Sequence, residues 1–112
     1  INEQVNSGAT IIQIFDSWAG LLDEKKIDLL IYKPTEELVN FTKSLNVPVI
    51  CFPREIKDYK DYVSNVKPDA VNIDYTVNPN DIVKNIKTVS QAVASQKSAS
   101  RIELIKSLSI IM

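Results

Sequence analysis

Three short apolar runs in this sequence each end in polar side chains that could take part in chemistry. The runs are residues 11–15, 47–52 and 70–75, and the groups at their ends are Asp16, Ser17, Arg54, Asp74 and Tyr75. Carboxylates accept hydrogen bonds and hold protons, a guanidinium donates hydrogen bonds to anions, and hydroxyls both donate and accept. Any chemistry at the ends of these runs has to use such groups.

Histidine is absent from the sequence, which contains a single cysteine. The commonest general base and the commonest zinc ligand are therefore missing. We predict no metal site, and we expect catalysis, if the chain takes part in it, to depend on carboxylates, Arg, Lys, Tyr or Ser.

Each candidate residue also has a structural interpretation. Asp16 and Ser17 suit a turn or a helix cap, where their side chains bond nearby backbone amides. Asp74 suits a strand end tied to loop amides, Tyr75 a packing residue and Arg54 a solvated surface charge. Spacing alone leaves both interpretations open, and the place of these residues at strand ends favours a functional one.

The elements that position these residues follow from the hydrophobic pattern. The three runs are rich in Ile, Val and aromatic residues and are nearly continuous, which is typical of strands buried on both faces of a parallel sheet. Helical spacing follows each run, with predicted helix faces at Leu38, Phe41, Thr42, Leu45, at Ile56, Tyr59, Val63, Val66, and at Ile82, Val83, Ile86.

Breaking residues mark the predicted helix ends. Pro34 with Glu36 and Glu37 suits a helix N-terminus, Pro68 ends the second helix, and the Asn78–Pro79 pair suits the start of the third. The alternation of strand and helix predicts an α/β fold with a parallel, right-handed sheet. Three strands alone leave two unpaired edges, so we expect part of a larger sheet or barrel.

Composition narrows the class of protein. Thirteen basic against fourteen acidic residues give no field that would concentrate nucleic acid or anionic lipid. No apolar run approaches the roughly 18 residues of a membrane span, and no signal-peptide pattern is present. Cys51 lies within an apolar run and suits a core position in a reducing compartment. We therefore expect a cytoplasmic protein that binds neither nucleic acid nor membrane.

The last part of the sequence differs in character. Residues 90–100 alternate Ser, Ala, Gln and Val, which predicts a loop or linker, and residues 101–112 have weak helical spacing.

Three strings of residues carry a resemblance to one enzyme family. The string QIFDSWAG, residues 13–20, resembles a signature segment of uroporphyrinogen decarboxylases, and Gly8 and Ala9 precede it as in that family. The strings VPVICF, residues 47–52, and PDAVNIDY, residues 68–75, follow at distances similar to those of the family. The resemblance covers about residues 5–88.

The resemblance implies a fold and a reaction. The implied fold is three consecutive βα units of an incomplete (β/α)8 barrel of the TIM type, residues 1–88, with a divergent tail, residues 89–112. The implied reaction, in haem biosynthesis, converts the four acetate side chains of uroporphyrinogen III to methyl groups and gives coproporphyrinogen III. No metal or organic cofactor is implied, because the protonated pyrrole accepts the electrons released with carbon dioxide. The resemblance leaves open whether the intact enzyme forms a homodimer.

The same resemblance assigns site residues. Ser17 matches the position whose hydroxyl contacts the porphyrinogen, and Phe15 matches the position whose ring packs against the macrocycle. A place on the cleft wall is expected for Asp16, Asp74, Tyr75 and Arg54. No catalytic residue is assigned.

Several motifs of the family have no counterpart among these residues. They are the N-terminal arginine motif, the pyrrole-binding Asp, the substrate-binding Tyr and the C-terminal His motif. Two interpretations follow: a part of a decarboxylase that acts only when other segments complete the barrel, or a non-catalytic remnant or interaction module. A methyltransferase of the same superfamily would need zinc-binding His and Cys residues, which this sequence does not supply.

Overall fold

The computed structural model describes residues 1–85 of the chain. In chain order its elements are α1 (Asn2–Asn6), β1 (Ile12–Asp16), a 3₁₀ turn (Ala19–Leu21), α2 (Glu24–Ile27), a π turn (Asp28–Tyr32), α3 (Lys33–Ser44), β2 (Val49–Pro53), α4 (Tyr59–Val66), β3 (Ala70–Val71) and α5 (Pro79–Asn85). The predicted loop at residues 90–100 and the predicted helix at residues 101–112 lie outside the described residues.

The strands form a parallel sheet in the order β1-β2-β3. This confirms the predicted α/β class and the alternation of strands with helices. Right-handed crossovers between successive parallel strands place their helices on one face of the sheet. In agreement, α3 contacts α4 and α4 contacts α5.

The register of β1 against β2 gives the sheet two distinct faces. Ile14 pairs with Cys51, and Phe15 pairs with Phe52. Cys51 belongs to the core that the helices cover, and Ile14 packs against that core. Because side chains alternate along a strand, Phe15 and Phe52 lie on the other side. We call these two sides the helix face, with Ile14 and Cys51, and the opposite face, with Phe15 and Phe52.

The core on the helix face is aromatic at its centre. The rings of Tyr32 and Tyr62 meet edge to face with their centroids 5.8 Å apart. Cys51 is fully buried beside them, as the sequence predicts, and forms a hydrogen bond with the Tyr62 side chain. Burial raises the pKa of the Cys51 thiol to about 11, against the lowering effect of that hydrogen bond.

The predicted buried face of α3 is wrong in part. Leu38 and Phe41 are 43% and 46% exposed, whereas Val39 and Thr42 are fully buried. The physical reason is that apolar residues lie on two sides of α3, and packing against the core buries the side with Val39 and Thr42. Thr42 is accommodated in the core because its hydroxyl donates a 2.7 Å hydrogen bond to the Leu38 carbonyl.

The third strand is much shorter than the predicted Ala70–Tyr75. Only Ala70 and Val71 pair with β2, and the Asn72 amide donates the last ladder hydrogen bond to the Cys51 carbonyl, at 2.8 Å. In a parallel ladder the next bond would run from the amide of residue 53 to the Asn72 carbonyl. Residue 53 is Pro53, which has no N–H, so pairing stops there.

The helix ends follow local chemistry. Helix α4 begins after Asp58, whose Oδ1 accepts the Asp61 amide at 2.9 Å, and ends at Lys67, which adopts a left-handed φ of 55° ahead of Pro68. It starts later than the predicted Ile56. Helix α5 starts at Pro79 as predicted, with the Asn78 side chain accepting the Asn80 amide at 3.0 Å.

None of the helices among residues 1–85 has the length and apolar character that crossing a bilayer requires.

We expect Cys51 to resist thiol reagents at about pH 8 in the folded chain. Burial and the raised pKa together suppress the reactive thiolate. Alkylation followed by mass spectrometry should show at least a tenfold faster reaction after addition of denaturant. A Cys51→Val variant, which has no thiol, is the control. Rapid labelling of the folded chain would contradict the buried position of Cys51.

Candidate functional site

Two aromatic rings and two polar residues collect at the carboxyl ends of β1 and β2. The rings of Phe15 and Phe52 meet edge to face, with centroids 5.9 Å apart and planes at 87°. The Arg54 amide donates to the Asp16 carbonyl at 3.0 Å, so the ladder continues one residue beyond β2. Alternation then places Arg54 on the opposite face after Phe52, while Ser17 follows Phe15 by the same two-residue step.

Ser17 is exposed. Within residues 1–85, no hydrogen bond ties its hydroxyl to the protein. The capping interpretation required a bond from this side chain to a nearby amide, and the described residues provide none. Its hydroxyl is therefore available to a ligand beside Phe15, which is itself 50% exposed.

Asp16 points the other way. Its charge adds to the pKa of Tyr62, which is raised mainly by burial and then by Cys51. Tyr62 lies in the core on the helix face. Asp16 thus lies on the side of the sheet away from Phe15. This geometry does not support the expected place of Asp16 on the cleft wall beside Phe15.

Asp74 ties the loop after β2 to the loop after β3. Its side chain is 6% exposed. Oδ2 accepts the Glu55 amide at 2.8 Å, and Oδ1 accepts the Thr76 amide at 2.9 Å together with the Thr76 hydroxyl. This is the loop-amide role that the structural interpretation predicted for Asp74.

The pKa of Asp74 lies below its usual value. Burial alone would raise the pKa, but the hydrogen bonds from Thr76 and from the Glu55 amide, together with the charge of Arg54, outweigh that effect. The ionised carboxylate is therefore the form that holds the loops together.

A close backbone approach joins the loops after β1 and β2. The Gly20 amide donates to the Arg54 carbonyl at 3.0 Å, and a Cβ at residue 20 would lie 2.3 Å from the Glu55 carbonyl oxygen. Glu55 has a φ of 59°, in the left-handed region. Only glycine fits at residue 20 with the backbone in this position.

The remaining candidates lie on the rim. Arg54 is exposed, and its Nη2 lies 3.3 Å from Oε1 of the exposed Glu55 side chain. Tyr75 is exposed at the end of the third segment. The structure thus brings Phe15, Ser17, Arg54 and Tyr75 to one edge of the sheet and places Asp74 beneath that edge.

Sequence reasoning missed Phe52, Gly20, Glu55 and Thr76. Phe52 could have been found by aligning the first two runs as parallel partners, because its ring pairs with Phe15. Gly20 is one of only two glycines and follows a strand, which is a weak signal of close approach. Glu55 acts through its backbone amide and carries no side-chain signal, whereas Thr76 uses both its amide and its hydroxyl.

A cavity of about 260 Å³ lies elsewhere, between the 3₁₀ turn, α2 and the segment leading into α4. Its lining includes Ala19, Tyr32 and Asp61 but none of the predicted site residues. Among residues 1–85, no three His, Cys, Asp or Glu side chains are grouped so that they could hold a metal ion.

We expect Asp74 to make stability depend on acid. Because its folded pKa is depressed, its contribution is present above the ordinary value of 3.8 and is lost as the pH falls through the lower, folded value. Asp74→Asn should remove this dependence and lower stability at neutral pH by about 1–3 kcal/mol, since asparagine offers one acceptor oxygen in place of two.

Urea unfolding of both proteins between about pH 6 and pH 2 measures the difference. Asp69→Asn is the matched control, because Asp69 also accepts an amide, that of Val49, but from an exposed position. Equal acid dependence in wild type and Asp74→Asn would contradict the role given to Asp74.

The fold and the arrangement of these residues define a structural class of protein. Parallel βα units with candidate ligand groups at the strand carboxyl ends are typical of α/β proteins that bind ligands through the loops after their strands. The family model for uroporphyrinogen decarboxylase (URO-D) matches residues 1–96. The chain belongs to the uroporphyrinogen decarboxylase family.

Curated relatives agree with this assignment. The chain is similar to the uroporphyrinogen decarboxylase of Rickettsia bellii, with 36% identity over 74 residues, 63% of this chain and 22% of the relative. It is 37% identical to that of Campylobacter jejuni over 87 residues, 76% of this chain and 25% of the relative. For Chelativorans the identity is 39% over 77 residues, 66% of this chain and 22% of the relative.

The chain therefore spans about a quarter of the length of the curated relatives it matches. The family match, residues 1–96, extends past residues 5–88, which carry the resemblance in the sequence. The boundary between barrel and tail at residue 89 stays a prediction.

Proposed function

We propose that this chain forms part of a uroporphyrinogen decarboxylase, which converts the acetate side chains of uroporphyrinogen III to methyl groups and yields coproporphyrinogen III. The observation that carries the proposal is the group on the opposite face of the sheet. Phe15, which is half exposed, and Phe52, which is partly buried, form an aromatic edge, and the exposed Ser17, whose hydroxyl has no bond within residues 1–85, lies two residues after Phe15. Aromatic surface near a hydroxyl suits a tetrapyrrole that carries carboxylate side chains.

We further propose that the sheet is one section of a (β/α)8 barrel. Its strands follow one another in chain order with their crossover helices on one side, as in a barrel wall. In a doubly wound sheet the strand order reverses and helices cover both faces. In the barrel, the opposite face, with Phe15 and Phe52, would turn inward.

The reaction requires no covalent bond between the protein and the substrate. Protonation of the pyrrole carbon makes a cationic ring; the bond to the carboxylate then breaks, and its electron pair neutralises the ring as carbon dioxide leaves. A proton added to the resulting methylene completes the methyl group, and the ring carbon loses its extra proton. The substrate is its own electron sink, so no cofactor is needed.

The residues of this chain would bind and orient the substrate. Phe15 and Phe52 would pack against the macrocycle and exclude water, which strengthens electrostatic interactions at the reacting ring. Ser17 would donate a hydrogen bond to a substrate carboxylate. Arg54 and Tyr75 lie on the rim where side chains of a bound macrocycle would reach, and the proton donor is assigned to no residue among 1–85.

The 112-residue chain by itself should show no turnover of uroporphyrinogen, because most carboxylate-binding groups of the family have no counterpart in it. Activity should appear when the chain is produced together with the two segments of the Campylobacter jejuni enzyme that flank its matching region. Coproporphyrinogen formation, measured by chromatography after oxidation, is the readout. Turnover by the chain alone, or none in the reconstituted complex, would contradict the proposal; the second result would favour a non-catalytic remnant.

Ser17→Ala should weaken substrate handling in that complex and leave folding nearly unchanged. Loss of one hydrogen bond to a charged group costs about 1.5–3 kcal/mol, or roughly tenfold to a hundredfold in kcat/KM. Ser64→Ala, which removes a hydroxyl bonded within α4, is the matched control. A lowered melting temperature with unchanged kinetics would show that Ser17 is a turn residue only.

A further inference from the structure

We propose that Arg54 binds a carboxylate side chain of the tetrapyrrole and that Asp74 is the positioning residue that holds Arg54 in place. The inference rests on the proposed function and deepens it, because it assigns a carboxylate subsite beyond the aromatic edge and the Ser17 hydroxyl.

The backbone of Arg54 is fixed from two directions. Its amide donates to the Asp16 carbonyl at 3.0 Å, and its carbonyl accepts the Gly20 amide at 3.0 Å. Both partners belong to the segment that carries Ser17. The spacing between Arg54 and Ser17 is therefore set by main-chain hydrogen bonds, and it does not depend on flexible side chains.

The direction of Arg54 follows from the ladder. Since its amide continues the β1–β2 pairing, Arg54 projects to the same side of the sheet as Phe52 and Phe15. A guanidinium just beyond two aromatic rings is the arrangement that would receive a carboxylate at the edge of a ring system packed on those aromatics. A planar guanidinium binds a carboxylate through two parallel hydrogen bonds.

The guanidinium remains available to such a ligand. Its ion pair is with Glu55, the next residue, at 3.3 Å, and both side chains are about half exposed, 49% and 47%. Exposed pairs of this kind are weak, because water and salt compete with them. A substrate carboxylate in a site closed to water would displace Glu55 or share the five donors of Arg54 with it.

Asp74 acts through the residue that follows Arg54. Its Oδ2 accepts the Glu55 amide at 2.8 Å, while Glu55 holds a left-handed φ of 59°. The chain must turn sharply here, and a non-glycine residue adopts that conformation only when its surroundings fix it. The carboxylate of Asp74, anchored to Thr76 on its other oxygen, fixes that turn and so the direction in which Arg54 leaves the strand.

The test measures kinetics in the complex of the full chain with the flanking Campylobacter jejuni segments. Arg54→Gln should raise KM for uroporphyrinogen about tenfold to a hundredfold with a smaller change in kcat, as expected for loss of a contact made equally to substrate and transition state. Arg54→Lys keeps the charge but loses the paired geometry, so its KM should be intermediate.

The control is Lys57→Gln, which removes an exposed positive charge three residues away that lines the cavity near the 3₁₀ turn. Its KM should equal that of the wild type. Asp74→Asn should raise KM in the wild-type background but add little to Arg54→Gln, because a positioning residue acts only through the residue it positions. A merely structural Asp74 would give additive effects.

The outcomes separate the two levels of the argument. An inactive wild-type complex would reject the proposed function and this inference with it. An active complex in which Arg54→Gln leaves KM unchanged, or raises it no more than Lys57→Gln does, would reject the Arg54 subsite and leave the proposed function standing. Additive effects of Asp74→Asn and Arg54→Gln would reject the positioning role alone.

Discussion

Parallel pairing of β1 with β2 is the constraint on which the rest of this structure depends. One register, with Phe15 opposite Phe52, decides which side chains enter the core under the helices and which face away from it. A shift by one residue would exchange the two sets, placing Cys51 outside and Phe52 inside. The aromatic core around Tyr62 and the candidate site are therefore two results of the same pairing.

The loops beyond the strands are joined by hydrogen bonds that main-chain amides donate, one to a main-chain carbonyl and one to a buried carboxylate. Gly20 reaches the carbonyl of Arg54, and Glu55 reaches the carboxylate of Asp74. Three consecutive loops thus form one connected rim on top of a rigid sheet. Such a rim can hold a ligand group in place because its geometry is set by hydrogen bonds of short reach.

Local chemistry in the sequence predicted much of the fold. Apolar runs rich in Ile and Val predicted the strands, and Pro68 and the Asn78–Pro79 pair marked helix ends correctly. The length of β3 could not be predicted, because it depends on a missing N–H in the partner strand, at Pro53. The buried face of α3 was misplaced because apolar residues lie on two sides of that helix, and packing, not periodicity, selects one.

Part of the candidate site could likewise be predicted from the sequence, and part could not. The family resemblance pointed to Phe15 and Ser17, since whole motifs are visible in one segment. Their partner Phe52 comes from another strand, so it is found only through the register. In the sequence, Asp74 suits a place in a cleft and a role as a loop anchor equally well. In the structure its carboxylate accepts the amides of Thr76 and of Glu55, which is distant in the chain, and these bonds favour the role of loop anchor.

The π turn at Asp28–Tyr32 lies directly before α3, so the number of residues in the first crossover determines which face of α3 packs on the core. One residue of an α-helix corresponds to about 100° of rotation. The π turn holds one residue more than an α turn, so a deletion of one residue there converts it to an α turn with little rotation of α3. A deletion of one residue in α2 would instead rotate α3, taking Val39 out of the core and bringing Asn40 into its place. The first βα unit should therefore tolerate the loss of one residue in the π turn far better than the same loss in α2.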